Sequence, residues 1–427
     1  MTLRSSLFVA FRYLLGRGKE GGRYLRGAAL GIALSLVPIV VTLVVADGMI
    51  QGITDRFLEL GTGHIQLFRQ SAPGSVASEC AMVEEIWGVR GAWPERAGLG
   101  ILVGTSGKSG ANVRAVSPDW LHSPEVMRYL RVLDGEVDIS VSGNAVIGQA
   151  LAEKLSIGVG DRVRLMTTRS GSSGRTIPRL STFTVKAIVS SGYRELDALW
   201  FFIPYQDGLA ALSPESSRNF IMVKIDDPYN DAEMTADTLV NLLDGPWFSA
   251  TWLELQSSQY ASYASTRQLL LFIMSLIVIV AAVNVSSSTS MLVVERRRDI
   301  AILKSFGAPP RGTSAIFLSG AFMAGLSGTL IGLSAGLLLA IFINEIISGA
   351  EWLFNSVSAF FARLAGFEWN AIDFLDPGYY LETIPIIIDW PMILTIGLGT
   401  ILCSVLAAWA PARQAAKLSP LEILRKF

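Results

Sequence analysis

At 427 residues, 51% of them hydrophobic, and with a mean hydropathy of +0.45, the chain is too apolar for an ordinary soluble domain, so part of it is membrane embedded. Its 35 basic and 36 acidic residues nearly cancel, so net charge points to no partner and the information lies in how charge is distributed along the chain. Cys80 in a polar segment and Cys403 in an apolar run exclude a disulfide framework and a metal cluster, and His64 and His122 stand alone as surface or core histidines.

Residues 1–26 set Arg4, Arg12, Arg17, Lys19, Arg23 and Arg26 against Glu20 alone, with Leu7, Phe8, Phe11, Leu14 and Leu15 between the early charges. That pattern predicts a basic amphipathic helix on the cytoplasmic membrane surface. The apolar run that follows outlasts a signal-peptide core of ~7 to 15 residues and ends in no small-x-small site, which predicts an uncleaved first membrane span over 27–48.

Residues 49–266 form a polar insertion, large enough for one or two domains at ~100 to 200 residues each. Strand-like stretches at 64–68, 112–116, 162–166, 183–189 and 220–225 alternate with helical ones such as 145–155, which predicts a mixed α+β domain. Within it RSGSSGRTIP, 169–178, is rich in Gly and Ser between two strands and predicts an exposed hairpin loop. Gly107-Lys108-Ser109 looks like the end of a phosphate-binding loop, but Leu102 stands where that motif needs glycine, so nucleotide binding is rejected.

The second span covers 267–294, with Asn284 and Ser286 to Ser290 as small polar groups that let helices approach. Between it and the next span lies 295–312. Its first turn is charged, with Glu295, Arg296, Arg297, Arg298 and Asp299; Ile300, Leu303 and Phe306 follow at i, i+3, i+6, then Gly307 as a helix end and Pro309-Pro310 as a stop. Two readings stand open: a short amphipathic helix that docks into a groove of another protein, or a basic loop obeying the positive-inside rule. The third span, 313–344, carries Gly328, Gly332 and Gly336 at intervals of four, a ridge suited to tight helix contact. Residues 345–389 carry seven acids against Arg363 alone and predict an outside loop rimmed by Trp352, Trp369, Tyr379 and Tyr380. A fourth span, 390–411, leads to a basic cytoplasmic tail, 412–427. Basic segments thus fall inside, and the insertion and the acidic loop outside.

Four stretches in this order resemble the permease subunits of the MacB/FtsX superfamily of ABC transporters, most closely the lipoprotein-releasing LolC/LolE branch. They are GNAVIGQALAEKLSIGVGDRVRLM at 143–166, SGYRELDALWFFIP at 191–204, ERRRDIAILKSFGA at 295–308 and APARQAAKLSPLEILR at 410–425. The resemblance implies four membrane helices and a large extracytoplasmic α+β domain of the MacB-like porter/Sabre type, in the bacterial inner membrane with both termini cytoplasmic. It implies a non-catalytic subunit without its own cofactor, ATP being bound by a separate cytoplasmic ATPase. That ATPase would receive Glu295, Arg296, Arg297, Arg298, Ile300, Leu303, Phe306 and Gly307 as a coupling helix. It implies a second permease, paralogue or self, and lipoprotein substrates entering laterally from membrane lipid past Thr42, Val45, Ile273 and Ile277. A periplasmic carrier would meet the loop bearing Arg169, Arg175 and Pro178; nucleic acid has no place in this picture. Two other readings stay open: a MacB-like exporter of another amphiphile, and an FtsX-like permease that signals across the membrane and transports nothing.

Overall fold

The first apolar run forms a single helix, α1, Gly21–Arg56, which tolerates Pro38 in its interior and continues into a π-helical turn, Phe57–Thr62. Gly63 ends the turn at φ 68°, a left-handed backbone that glycine takes without strain. The helix outruns 27–48 because hydropathy marks where the bilayer ends, and Gln51 to Arg56 continue the same backbone ladder with Ile53 as their one large apolar side chain. The computed structural model describes residues 21–69, 76–170, 176–365, 381 and 383–417; most of the N-terminal amphipathic segment expected over 1–26 therefore lies outside the described residues.

The chain divides into two units, of which one is the insertion, Met49–Ser262 with Asn370–Ile384. Its elements in order are β1 (Ile65–Arg69), α2 (Ala77–Glu84), β2 (Val89–Val103), β3 (Lys108–Val116), β4 (Arg131–Gly135) and β5 (Asn144–Gly148). They are followed by α3 (Gln149–Leu155), β6 (Arg162–Ser170), β7 (Thr176–Ser190), β8 (Trp200–Pro204), α4 (Tyr205–Ala211), β9 (Ser217–Ile225), α5 (Ala232–Leu242) and β10 (Trp247–Thr251). The 15-residue β2 serves two lobes: Val89 to Gly98 pairs with β9, and Ile101 to Val103 pairs with β6. In one lobe, pairing runs β2-β3-β8-β5-β7-β6 and back to β2, closing six strands around Leu102, Val113, Ile147, Leu165, Val185 and Phe201. In the other, the order is β10-β1-β9-β2, and α2 and α5 pack over Leu67, Ile221, Val223 and Trp247.

The helix expected over 145–155 is corrected: residues 144–148 are the strand β5, and α3 begins only at Gln149. Ala145, Val146 and Ile147 lie between β7 and β8 with no exposure, and a strand buried on both faces shows no alternation by which to tell it from a buried helix. Gly107, Lys108 and Ser109 belong to the β2–β3 hairpin, where Gly104 N–H donates to the Gly107 carbonyl at 2.9 Å; no helix follows the turn.

The other unit comprises Met1–Gly48, Tyr263–Trp369 and Pro385–Phe427. Beside α1 it contains α6 (Ser257–Glu295), α7 (Arg297–Ser305), α8 (Pro310–Ile341), α9 (Ile343–Ala365) and α10 (Trp390–Lys417). Among the described residues four helices are long and apolar enough to span a bilayer, those that contain α1, α6, α8 and α10. Their shared core holds Leu25, Ile32, Leu36, Val285, Phe317, Ala321 and Ala408. The α8 glycines decide how closely these helices meet. A Cβ added at Gly328 would fall 2.6 Å from the Ala29 carbonyl oxygen, and one at Gly332 or Gly336 would fall 2.8 Å from Cβ of Leu36 or Val40 of α1. On α1 itself, a Cβ at Gly31 would fall 2.6 Å from the Asn284 amide of α6. The stretch read as an outside loop is helical over its first part: α9 fills 343–365, while 366–380 lie outside the described residues.

Candidate coupling site

The charged segment between α6 and α8 folds as two pieces. Glu295 closes α6, Arg296 breaks the helix at φ −91° and ψ 17°, and α7 begins at Arg297. Arg296 Nη1 meets Asp299 Oδ2 at 3.1 Å across that break. The far end is a Schellman cap: Gly307 N–H donates to the Lys304 carbonyl at 2.9 Å, and Ala308 N–H to the Leu303 carbonyl at 3.1 Å, with Gly307 at φ 85°. Pro310 then sits at the first turn of α8. Two side chains tie this segment to the end of α10. Lys304 Nζ donates to the Ala416 carbonyl at 2.5 Å and Ser314 Oγ to the Ala412 carbonyl at 3.1 Å, a cation and a hydroxyl at the carbonyl end of a helix.

Burial corrects which residues can anchor a partner. Ile300 is 2% exposed and clusters with Leu292, Val293, Ala412 and Ala415 of its own chain, so it holds α7 in place and cannot seat in another protein. Leu303 is half-buried. The outward face is Arg298, Ile302, Ser305 and Phe306 at i, i+4, i+7 and i+8, with Phe306 89% exposed and Arg297 beside them. Ile302 is the residue the periodicity missed, because 300/303/306 and 298/302/305/306 are both helical stripes and only the position of the core tells them apart.

On the membrane helices, Thr42 and Ile273 are exposed and Val45 is half-buried, while Ile277 turns partly inward against the core cluster. Near one end of these helices, Arg267 of α6 makes a clamp that the sequence did not reveal. Its Nε lies 3.1 Å from Asp47 Oδ1 of α1, and its Nη2 lies 3.6 Å from Asp389 Oδ2, one residue before α10. One guanidinium therefore joins the ends of three spans.

Within the insertion, the turn after α1 is held by buried charge. Glu59 meets Lys224 Nζ at 2.7 Å and His64 Nε2 at 3.3 Å, while Ile225 N–H donates to His64 Nδ1 at 2.9 Å. Burial pushes the Lys224 ammonium below its usual range and the neighbouring Glu59 pulls it back. Arg114 forms a bidentate pair with Glu95, Nε to Oε1 at 2.6 Å and Nη2 to Oε2 at 2.7 Å, and also donates to the Leu60 carbonyl. Its guanidinium lies 4.9 Å from the Trp120 ring centre and 5.4 Å from that of Phe202. One turn earlier, Arg56 Nε donates to the Ser191 carbonyl at 2.7 Å and Tyr229 Oη to Asp55 at 2.9 Å. The end of α1 and the π-helical turn after it are thus fixed to the β7–β8 connection, β3 and β9. On the β6–β7 hairpin, Arg169 and Pro178 stand exposed in adjacent rungs of the ladder, and Arg175 lies outside the described residues.

Comparison with known proteins agrees with this layout. Residues 27–239 match the MacB-like periplasmic core domain and residues 271–420 match the FtsX-like permease C-terminal family. The chain belongs to the MacB/FtsX superfamily of ABC transporter permeases. It is 28% identical over 438 residues to the lipoprotein-releasing system transmembrane protein LolC of Xylella fastidiosa, covering 98% of each chain. LolC of Neisseria meningitidis is 25% identical over 431 residues, again 98% of each, and LolE of Haemophilus influenzae 22% over 433 residues, 99% of each. Among solved structures, the periplasmic region of MacB from Actinobacillus actinomycetemcomitans covers 48% of this chain and 95% of its own length, at 15% identity and a TM-score of 0.32.

Proposed function

We propose that this chain is the permease subunit of an ABC transporter that releases lipoproteins from the outer leaflet of the bacterial inner membrane to a periplasmic carrier. What carries the reading is likeness along 98% of the chain to lipoprotein-releasing permeases, in a protein whose inter-span helix turns Ile302 and Phe306 outward. ATP is bound and hydrolysed by a separate cytoplasmic subunit, whose groove takes the α7 face of Arg297, Arg298, Ile302 and Phe306. Both termini are cytoplasmic and the insertion is periplasmic. A second permease, paralogue or self, completes the assembly, since four spans from one chain are too few to enclose an acylated protein. Acyl chains enter past the outward faces of α1 and α6 at Thr42 and Ile273, and the β6–β7 hairpin with Arg169, Arg175 and Pro178 meets the carrier.

The energetics require an external source of work: each acyl methylene taken from lipid costs ~0.8 kcal/mol, so a protein bearing several chains does not leave spontaneously. Closure of the ATPase subunits would shift α7, and α7 is bonded to the end of α10 through Lys304, so the movement passes into the membrane helices. Replacing Ile302 and Phe306 together by alanine should leave the complex inserted and hydrolysing ATP but lower lipoprotein release several-fold in proteoliposomes. Undiminished release by that double variant would remove the docking role.

A further inference from the structure

Helix α9 presents three distinct sides. Its half-buried side carries Ile347, Glu351, Asn355, Ser358 and Ala362. A second side, exposed and polar, carries Glu345, Ser348, Ser356 and Arg363. The third, also exposed, holds Ile346, Leu353, Val357, Phe360 and Leu364, which fall within a ~60° arc at ~100° per residue. No charge interrupts that arc, and Phe360 and Leu364 are 62% and 70% exposed. In a helix surrounded by water the apolar side turns inward; here carboxylate and amide turn toward the chain while the large apolar side chains turn out. Trp352, on the polar exposed side and 71% exposed, is the residue type that prefers the boundary between hydrocarbon and water.

Chain continuity indicates what covers the arc. α9 starts one residue after α8, a membrane span whose last turns expose Leu338, Leu339 and Ile341, and Phe342 N–H still donates to the Leu338 carbonyl at 3.2 Å. The apolar arc therefore continues a lipid-facing surface without a polar break. α9 itself is not among the helices apolar enough to cross a bilayer.

We propose that α9 lies in the membrane–water interface, with the Ile346–Leu364 arc against lipid and the Ser348–Ser356 side toward water, as an anchor for the outer end of α8. That this interface is the outer one rests on the proposed topology; the lipid contact does not.

The test uses the full-length chain in vesicles of phosphatidylethanolamine and phosphatidylglycerol, with Cys80 and Cys403 replaced by serine and one nitroxide at a time. Labels at Val357→Cys and Phe360→Cys should collide with oxygen and be shielded from a nickel chelate, and labels at Ser348→Cys and Ser356→Cys should show the reverse. Adding Leu364→Asp and Phe360→Asp should make the Val357→Cys label nickel-accessible. Equal nickel access on both sides would put α9 in water. Shielding of the apolar arc from both reagents would put protein there, a second copy or a partner. Either outcome overturns the proposal. Neither ATP hydrolysis nor lipoprotein enters the measurement, so failure of the transport reading leaves it interpretable.

Discussion

Arg114 and Glu95 pair with side chains only 2% and 1% exposed, so each is tolerated only because the other is present. Removing one partner of such a pair leaves a buried charge and costs ~3 to 5 kcal/mol, whereas replacing both with apolar residues is often close to neutral. Arg114→Leu should therefore sharply lower the thermal unfolding temperature of the full chain in detergent, and adding Glu95→Leu should restore most of it. A double variant no better than the single one would show that the contact with Leu60, and not the charge, is what Arg114 supplies. Cys80 makes a second prediction. Burial, with Glu84 and Glu79 nearby, pushes its thiol up to about 12, so the folded protein holds a proton there that the unfolded chain releases near the ordinary value of 9.0. The stability it contributes is present below pH 9 and falls as pH rises toward 12, and a water-soluble maleimide at pH 8 should leave Cys80 unmodified until the protein unfolds. Neither site was legible in the sequence. Glu95 and Arg114 are 19 residues apart on adjacent strands, and in one dimension a charge in an alternating strand reads as solvent facing.

The ridge on α8 was legible, because three glycines at intervals of four have little use except to bring backbones together. The structure adds which neighbour they meet and how hard a change would be felt. At Gly332 the obstacles are the Ala33 carbonyl at 2.9 Å, Ala33 Cα at 3.0 Å and Leu36 Cβ at 2.8 Å, none of which can rotate away. Gly332→Val should force α8 from α1, seen as aggregation or proteolysis of the membrane unit, while Gly399→Ala, with open space around its Cβ position, should be silent. If both variants behaved like the parent, the close approach of α1 and α8 would not exist. The coupling segment was half legible for the complementary reason. Its helix, its charged start and its glycine end follow from local chemistry, but which stripe faces outward depends on α10, more than a hundred residues later. Strand β5 failed similarly, because burial on both faces erases the alternation that marks a strand.

At the scale of the molecule, hydropathy alone located the four spans, because length and apolarity are the only requirements a bilayer sets. Their orientation is a separate matter, carried by where the basic residues fall, and every functional assignment rests on it. Two exposed side chains mark the regions that must lie on opposite sides: Phe306 at the end of α7, 89% exposed, and Trp87 in the insertion, 95% exposed. Neither native cysteine competes for reagent, since Cys80 is buried and Cys403 lies within α10, and both can be changed to serine. In spheroplasts, a membrane-impermeant maleimide should modify Trp87→Cys at once and Phe306→Cys only after the membrane is opened. A partner ATPase reaches α7 only if the arginines at 296–298 share its compartment, and a periplasmic carrier reaches the β6–β7 hairpin only if the insertion lies across the bilayer. Modification of both positions from one side would therefore deny the chain one of the two partners proposed for it, whatever the similarity to lipoprotein-releasing permeases.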